Sequence, residues 1–150
     1  MGGWRAAIRG LDHVCVVVRD MPVSVSWYQN VFGMQHIYTD TPNFWPRCED
    51  SPAFLRASGG ASIALLRLEP GSSLVKNHNG AHFAMNVPQC AFELARDQLP
   101  AILRENRVHP GQSVDVEFQD YGIQHSLFFT DPDHNVVELA CWPHPPLPGS

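Results

Sequence analysis

From Leu11 to Val18 the chain reads LDHVCVVV, a β-branched run in which alternation puts Leu11, His13, Cys15 and Val17 on one face. The pattern predicts a buried strand. Met21, Val25, Tyr28 and Phe32 then recur at helical spacing and predict an amphipathic helix. Its ends carry their own signals: Asp20 to accept amide hydrogen bonds, Pro22 in the first turn, and Gly33 for the left-handed residue past the end. Three prolines between His36 and Pro52 predict a short strand and then a loop, and two apolar runs, Ala53–Ala57 and Ala61–Leu68, predict strands joined at Ser58-Gly59-Gly60. This half reads β-α-β-β-β.

Residues 69–80 are polar and Gly-rich and read as a linker, after which the pattern repeats. A strand over Ala81–Val87 places His82, Ala84 and Asn86 on one face. Helical signals run from about Ala91 to Asn106, but Pro100 would break a continuous helix. The main helix is therefore expected late, with Asp97 near its cap and Pro100 in its first turn. Strands are expected at Ser113–Phe118, Gln124–Thr130 and Asn135–Trp142. The last two join through Asp131-Pro132-Asp133-His134, a type I turn signature with His134 where glycine is often preferred. Residues 143–150, with four prolines, are expected to form an extended tail.

At 150 residues the chain fits one domain, or two small halves sharing a core. Ten Lys plus Arg against fifteen Asp plus Glu, with no basic block, exclude a nucleic-acid partner. No apolar run approaches the roughly 20 residues of a membrane helix, which excludes a spanning segment. The opening Met1-Gly2-Gly3-Trp4-Arg5 lacks the apolar region of a signal peptide, and Ala6 stands where a myristoylation signal wants Ser or Thr. Cys15, Cys48, Cys90 and Cys141 form no C-x-x-C pair, so neither a disulfide framework nor a zinc finger is expected, and the expected compartment is the cytoplasm. Eight histidines raise the question of metal ligands and acid–base groups.

The internal duplication answers part of that question. His13 and His82 hold the same place in the first strand of each half, and Ile63-Ala64-Leu65 matches Val137-Glu138-Leu139 in the last. Two such units related by a pseudo-two-fold bring the inward faces of these strands around one cavity. Three of its four symmetric slots, His13, His82 and Glu138, can bind a metal; the fourth, Ala64, cannot.

The paired pattern, with LDHVCVVVRDMPVSVSWYQNVFGM, AHFAMNV and FFTDPDHNVVEL in order, resembles the vicinal oxygen chelate superfamily over about residues 8–142. That superfamily includes glyoxalase I, extradiol dioxygenases, fosfomycin-resistance proteins, methylmalonyl-CoA epimerase and bleomycin-resistance proteins. The resemblance implies an α+β fold of two tandem βαβββ modules, 8–68 and 81–142, forming an open curved mixed sheet around a metal cavity. It also implies His13, His82 and Glu138 as ligands, and a homodimer. Two neutral imidazoles and a carboxylate leave further coordination positions of a divalent ion open, as in non-haem Fe(II) sites. Fe(II) is the expected metal, with Mn(II), Zn(II) or Ni(II) as alternatives.

Ala64 departs from the four-ligand set of glyoxalase I. Three-ligand sets belong to extradiol dioxygenases and fosfomycin-resistance enzymes, and the latter hold a phosphonate with basic residues. Beyond Glu138 this chain has no Lys or Arg, leaving Arg47 or Lys76 to approach from loops. The expectation is therefore dioxygenase-type chemistry on a small catechol- or enediol-like substrate. His125 is the candidate acid–base group and Tyr121 a hydrogen-bond donor, from a stretch similar to the one that supplies such groups in extradiol enzymes. Phe128 falls at or near a position where those enzymes carry Tyr. The alternatives are a metal-dependent isomerase, lyase or conjugating enzyme of glyoxalase type, and a non-catalytic binding protein of bleomycin-resistance type. Phe44, Trp45 and Phe54 are candidates for an apolar substrate wall, and Cys15 for a neighbour of the metal. His36 opens a strand, and His134, His78, His109 and His144 read as turn, loop or tail residues.

Overall fold

The computed structural model describes residues 10–74 and 81–143. His78, Lys76 and His144, most of the expected tail and the second half of the expected linker lie outside these residues. The elements run β1 (Val14–Val18), α1 (Met21–Phe32), β2 (Gln35–Ile37), β3 (Ala53–Arg56), β4 (Ser62–Arg67), β5 (His82–Asn86), α2 (Gln89–Glu105), β6 (Glu117–Asp120), β7 (His125–Thr130) and β8 (Val136–Cys141). They build two four-stranded mixed sheets of the same topology, β1-β4-β3-β2 and β5-β8-β7-β6, each with one parallel pair and two antiparallel pairs. The α+β architecture of two βαβββ modules is what the sequence pattern predicts. Among the described residues no helix is long and apolar enough to cross a membrane.

Helix α1 starts and stops where its signals stand. The Asp20 carboxylate accepts from the Val23 amide at 3.1 Å, and Gly33, at φ 64°, donates its N–H to the Gln29 carbonyl at 2.9 Å. Helix α2 corrects the expectation. It runs unbroken through Pro100, and its first turn is preceded by Pro88 rather than capped by Asp97. Pro100 costs about 3 kcal/mol inside a helix. Phe92, Leu99 and Leu103 are all buried along one stripe of α2, and each such side chain gains roughly 1.5–3 kcal/mol, so packing outweighs the break. The strand expected at Ser113–Phe118 also shifts, to β6. Ahead of it, Ser113 accepts from the Asp115 amide at 3.2 Å, a local turn that competes with ladder pairing.

Period-2 alternation splits each sheet into a covered and an open face. Val16, Val18, Leu55, Ile63 and Leu65 face the helical layer, as do Leu127, Phe129, Val137 and Leu139, and all join one apolar core with Trp27, Tyr28 and Phe92. His13 precedes β1 and shares the parity of Cys15, which is exposed. The polar residues therefore collect on the open faces.

The modules are locked together at the β7–β8 turn. Asp131 is fully buried; its Oδ1 accepts from the amides of Asp133 and Asn135, and its Oδ2 from the Tyr28 hydroxyl and the Asn135 side chain, all at 2.9 Å. Asn135 also donates to the Val17 carbonyl at 3.0 Å, tying the turn to β1. His134 takes the left-handed conformation, φ 68°, that the turn signature calls for. Burial raises the Asp131 carboxyl to about 6 against the opposing pull of these hydrogen bonds, and burial with the adjacent Asp131 carboxylate pushes the Tyr28 phenol well above its ordinary range.

Because the folded value for Asp131 lies above the unfolded one, the native state holds this proton more tightly. The stabilisation is full below pH 4 and is lost as pH rises through about 6. The gap between 3.8 and about 6 corresponds to about 3 kcal/mol. The stability of the native protein relative to an Asp131→Asn variant should therefore fall by up to that amount between pH 4 and pH 7 in urea titrations. A difference that is flat with pH overturns the assignment.

Candidate metal centre

Glu138 stands in the middle of β8, flanked by β5 and β7, opposite Ala84 on one side and Phe128 on the other. A carboxylate in a central strand is nearly enclosed, and this side chain is 8% exposed. Its charge needs donors, and they come from the same open face. Ser126, fully buried, donates its hydroxyl to Oε1; the Gln124 amide reaches the same oxygen at 3.5 Å. Oε2 lies 2.8 Å from His82 Nε2. The His82 side chain, on edge strand β5, stays 37% exposed and meets the edge of the Phe128 ring at 5.5 Å.

The first module repeats this arrangement. Phe54 pairs with Ala64 across β3 and β4 as Phe128 pairs with Glu138 across β7 and β8. His13 meets the edge of Phe54 at 5.2 Å, as His82 meets Phe128. Cys15 lies beside Ala64 as Ala84 lies beside Glu138. The two modules thus carry equivalent His–Phe corners, and the position opposite the phenylalanine holds a carboxylate in one module and a methyl group in the other.

His13 and His82 line a shared cavity of about 380 Å³. The His13 Nδ1 pairs with the Asp12 carboxylate at 2.7 Å, which assigns the proton to that nitrogen and leaves Nε2 as the lone-pair donor. A histidine that donates one ring N–H to a carboxylate while offering the other nitrogen is the usual state of a metal-ligating imidazole. The chemistry of the donor set therefore fits a divalent ion. The structure joins His82 with Glu138 directly and sets His13 on the same cavity, while among the described residues no group of three His, Cys, Asp or Glu side chains is gathered tightly enough to hold an ion.

The acid–base candidates lie elsewhere, a correction to the expectation. His125 pairs across the hairpin with Cys141, and its ring packs against Phe92 of α2 and Phe118, at 6.1 and 5.8 Å between centroids. It therefore sits on the helix-covered face, opposite to Ser126 and Glu138, with Asp120 at 3.5 Å as its ionic neighbour. Tyr121 is in the β6–β7 turn, 58% exposed, and its backbone N–H closes that turn onto the Gln124 carbonyl.

The aromatic wall divides as well. Phe44 and Phe54 meet at 5.0 Å and line an open cavity, whereas Trp45 turns away and stacks on His36 at 5.3 Å. Burial lowers the His36 imidazole, opposed in part by a hydrogen bond to the Trp45 backbone. His109 donates its Nε2–H to the Pro132 carbonyl at 2.9 Å. Arg47 is held by Asp40 at 3.1 Å. Cys15 does line a cavity with His82, between β1 and β5. Sequence reasoning missed Ser126, Gln124 and Asp12. The signal for Ser126 was present: in a hairpin closed at Asp131–His134, residues opposite Glu138 share the parity of Phe128, which includes Ser126 and excludes His125.

An α+β chain of two βαβββ modules with a histidine and carboxylate pair on an open sheet face is thereby defined. Residues 10–139 match the family model described as the Glyoxalase/Bleomycin resistance protein/Dioxygenase superfamily, and the chain belongs to this superfamily. No curated protein sequence matches it. Among solved structures it resembles a glyoxylase/bleomycin resistance protein/dioxygenase domain from Frankia sp. EAN1pec, at 22% identity, TM-score 0.69, with 91% of this chain and 94% of that one covered. The fosfomycin resistance protein FosX from Listeria monocytogenes, in a mutant form complexed with Mn(II) and 1S,2S-dihydroxypropylphosphonic acid, matches at 19% identity and TM-score 0.62, covering 91% and 95%. FosX from Mesorhizobium loti matches at 16% identity and TM-score 0.56, covering 89% and 92%. These likenesses establish the fold.

Removing the hydroxyl that satisfies Glu138 isolates its structural contribution. Ser126→Ala should destabilise the protein by about 1–3 kcal/mol at pH 7, the cost of a buried charged acceptor left short of a donor. Chemical denaturation measures it, and unchanged stability refutes the dependence.

Proposed function

We propose that the protein is a divalent-metal-dependent enzyme in which His13, His82 and Glu138 hold the ion and the substrate binds through two adjacent oxygens. The observation that carries this reading is the Glu138–His82 pair, 2.8 Å apart on an open sheet face, with Glu138 fixed from behind by Ser126. Ser126 occupies Oε1, so Oε2 is the oxygen turned to His82 and to a ligand. Asp12 holds His13 in one tautomer, and Phe54 and Phe128 limit the swing of the two rings. Bound there, an ion supplies Lewis-acid polarisation and a template for an oxygen-rich substrate. Two imidazoles and one carboxylate suit Fe(II) or Mn(II).

The chain's own side chains favour a proton-transfer isomerase, lyase or conjugating reaction over ring cleavage. His125, the base and acid that ring opening would use, lies on the covered face of β7, and Phe128 brings a plain ring to the cavity side. Dioxygenase chemistry on a catechol- or enediol-like substrate remains the second reading, favoured by the three-donor set with Ala64 in the fourth slot.

Elemental analysis of natively purified protein should find close to one divalent ion per chain, with a large loss in His82→Ala; equal metal in the two refutes the site. Asp12→Asn should weaken metal affinity by about tenfold, the low end of what such supporting carboxylates contribute, because Asp12 is exposed. With metal loaded under anaerobic conditions, exchange of a substrate α-proton into deuterated water without oxygen consumption selects proton transfer. Oxygen uptake with a catechol panel selects the second reading.

A further inference from the structure

We propose that the open face of the first sheet carries a subsite for the carboxylate of a flat aromatic substrate, with Arg56 as its anchor and Tyr38, Phe44 and Phe54 as its wall. The inference deepens the proposed function, since it names the substrate class for that cleft. Arg56 ends β3 on the same face as Phe54, and alternation turns both toward an open cavity of about 670 Å³. The guanidinium is held without being neutralised. Its Nε donates to the Ser62 hydroxyl and its Nη2 to the Tyr38 hydroxyl, both at 3.2 Å, and both acceptors are uncharged.

Among the described residues Arg19, Arg47 and Arg67 each face an acid within 4.0 Å, whereas Arg56, like Arg96, Arg104 and Arg107, faces none; of these four, Arg56 is the one that lines the cavity with Phe44 and Phe54. A guanidinium presents five N–H donors in a rigid fork, so the two hydroxyls leave donors that match a planar carboxylate. The wall is aromatic: Phe44 and Phe54 meet at 5.0 Å and Tyr38 and Phe54 at 5.7 Å, both pairs steeply inclined or edge-on.

The fold itself does not demand an arginine here. The equivalent position in the second module, paired with Val136 as Arg56 pairs with Ser62, is Thr130. The cavity also adjoins the one lined by His13 and His82, because Leu11, Asp12, Gly60 and Ser62 line both. Asp12, the acid at this junction, is occupied by His13 at 2.7 Å. A substrate with chelating oxygens at one end and a carboxylate at the other spans the two cavities.

The test uses 2-naphthoate and its uncharged analogue 2-naphthamide, titrated calorimetrically into the full chain with and without a chelator. Naphthoate should bind about fivefold more tightly than the amide, the scale of a partly exposed ion pair, and added salt should shrink the ratio. Arg56→Gln, an exposed substitution, should bring the ratio close to one while leaving amide binding in place. His82→Ala and chelation should leave it unchanged, so a failed metal centre and a failed subsite give different results. Equal affinities in the native protein, a preference that survives Arg56→Gln, or no binding of either probe overturns the proposal.

Discussion

The buried carboxylate of Asp131 fixes two things at once, and the rest of the site depends on both. Within its own module it gathers the amides of Asp133 and Asn135 and so closes the β7–β8 hairpin in one register. That register puts Phe128 opposite Glu138 and Ser126 one step along on the same face. A slip of one residue would turn every side chain of β7 over and leave Glu138 facing His125 and Leu127 instead. Between modules, Asp131 receives the Tyr28 hydroxyl of α1, and its partner Asn135 reaches the Val17 carbonyl of β1. The residue that sets the surroundings of Glu138 is therefore also the one that holds the first module, and with it His13, in place.

Duplication supplies a site of two equivalent halves, and the departures from equivalence give it direction. Both modules keep a histidine against a phenylalanine edge. They differ where the partner residues stand: Ala64 for Glu138, and Arg56 for Thr130. Glu138 thus belongs to one sheet, and Arg56, which faces no carboxylate among the described residues, to the other. Two identical halves would offer a ligand the same surroundings in either orientation, whereas Glu138 on one sheet and Arg56 on the other make the two modules electrostatically distinct.

Much of this was legible in the chain because it depends on short-range regularities. Alternation located most of the strands and the faces of His82 and Glu138, and Asp20, Pro22 and Gly33 marked the helix they bound. The failures come from interactions between elements. Pro100 reads locally as a helix start, yet the core contacts of Phe92, Leu99 and Leu103 carry α2 straight through it. His125 reads as a site residue by its neighbourhood in sequence, yet parity with Cys141 sends it to the covered face. The Asp12 carboxylate beside His13 was visible but unassigned, since adjacency along a strand normally places neighbours on opposite faces; only the irregular backbone ahead of β1 lets the two side chains meet.

That last contact bears on why the proposed ligand set is asymmetric in its support. Glu138 and His82 sit within paired strands, so backbone ladders fix their positions and Ser126 fixes the carboxylate orientation. His13 lies one residue outside β1 and its side chain is 32% exposed, so among the described residues its ring is oriented by Asp12 and Phe54. In the proposed ligand set, a pair held by strand ladders is thus joined by a histidine that side-chain contacts orient. The free energy of ion binding must then include the ordering of one side chain, a modest cost of at most about 1–2 kcal/mol for a single residue.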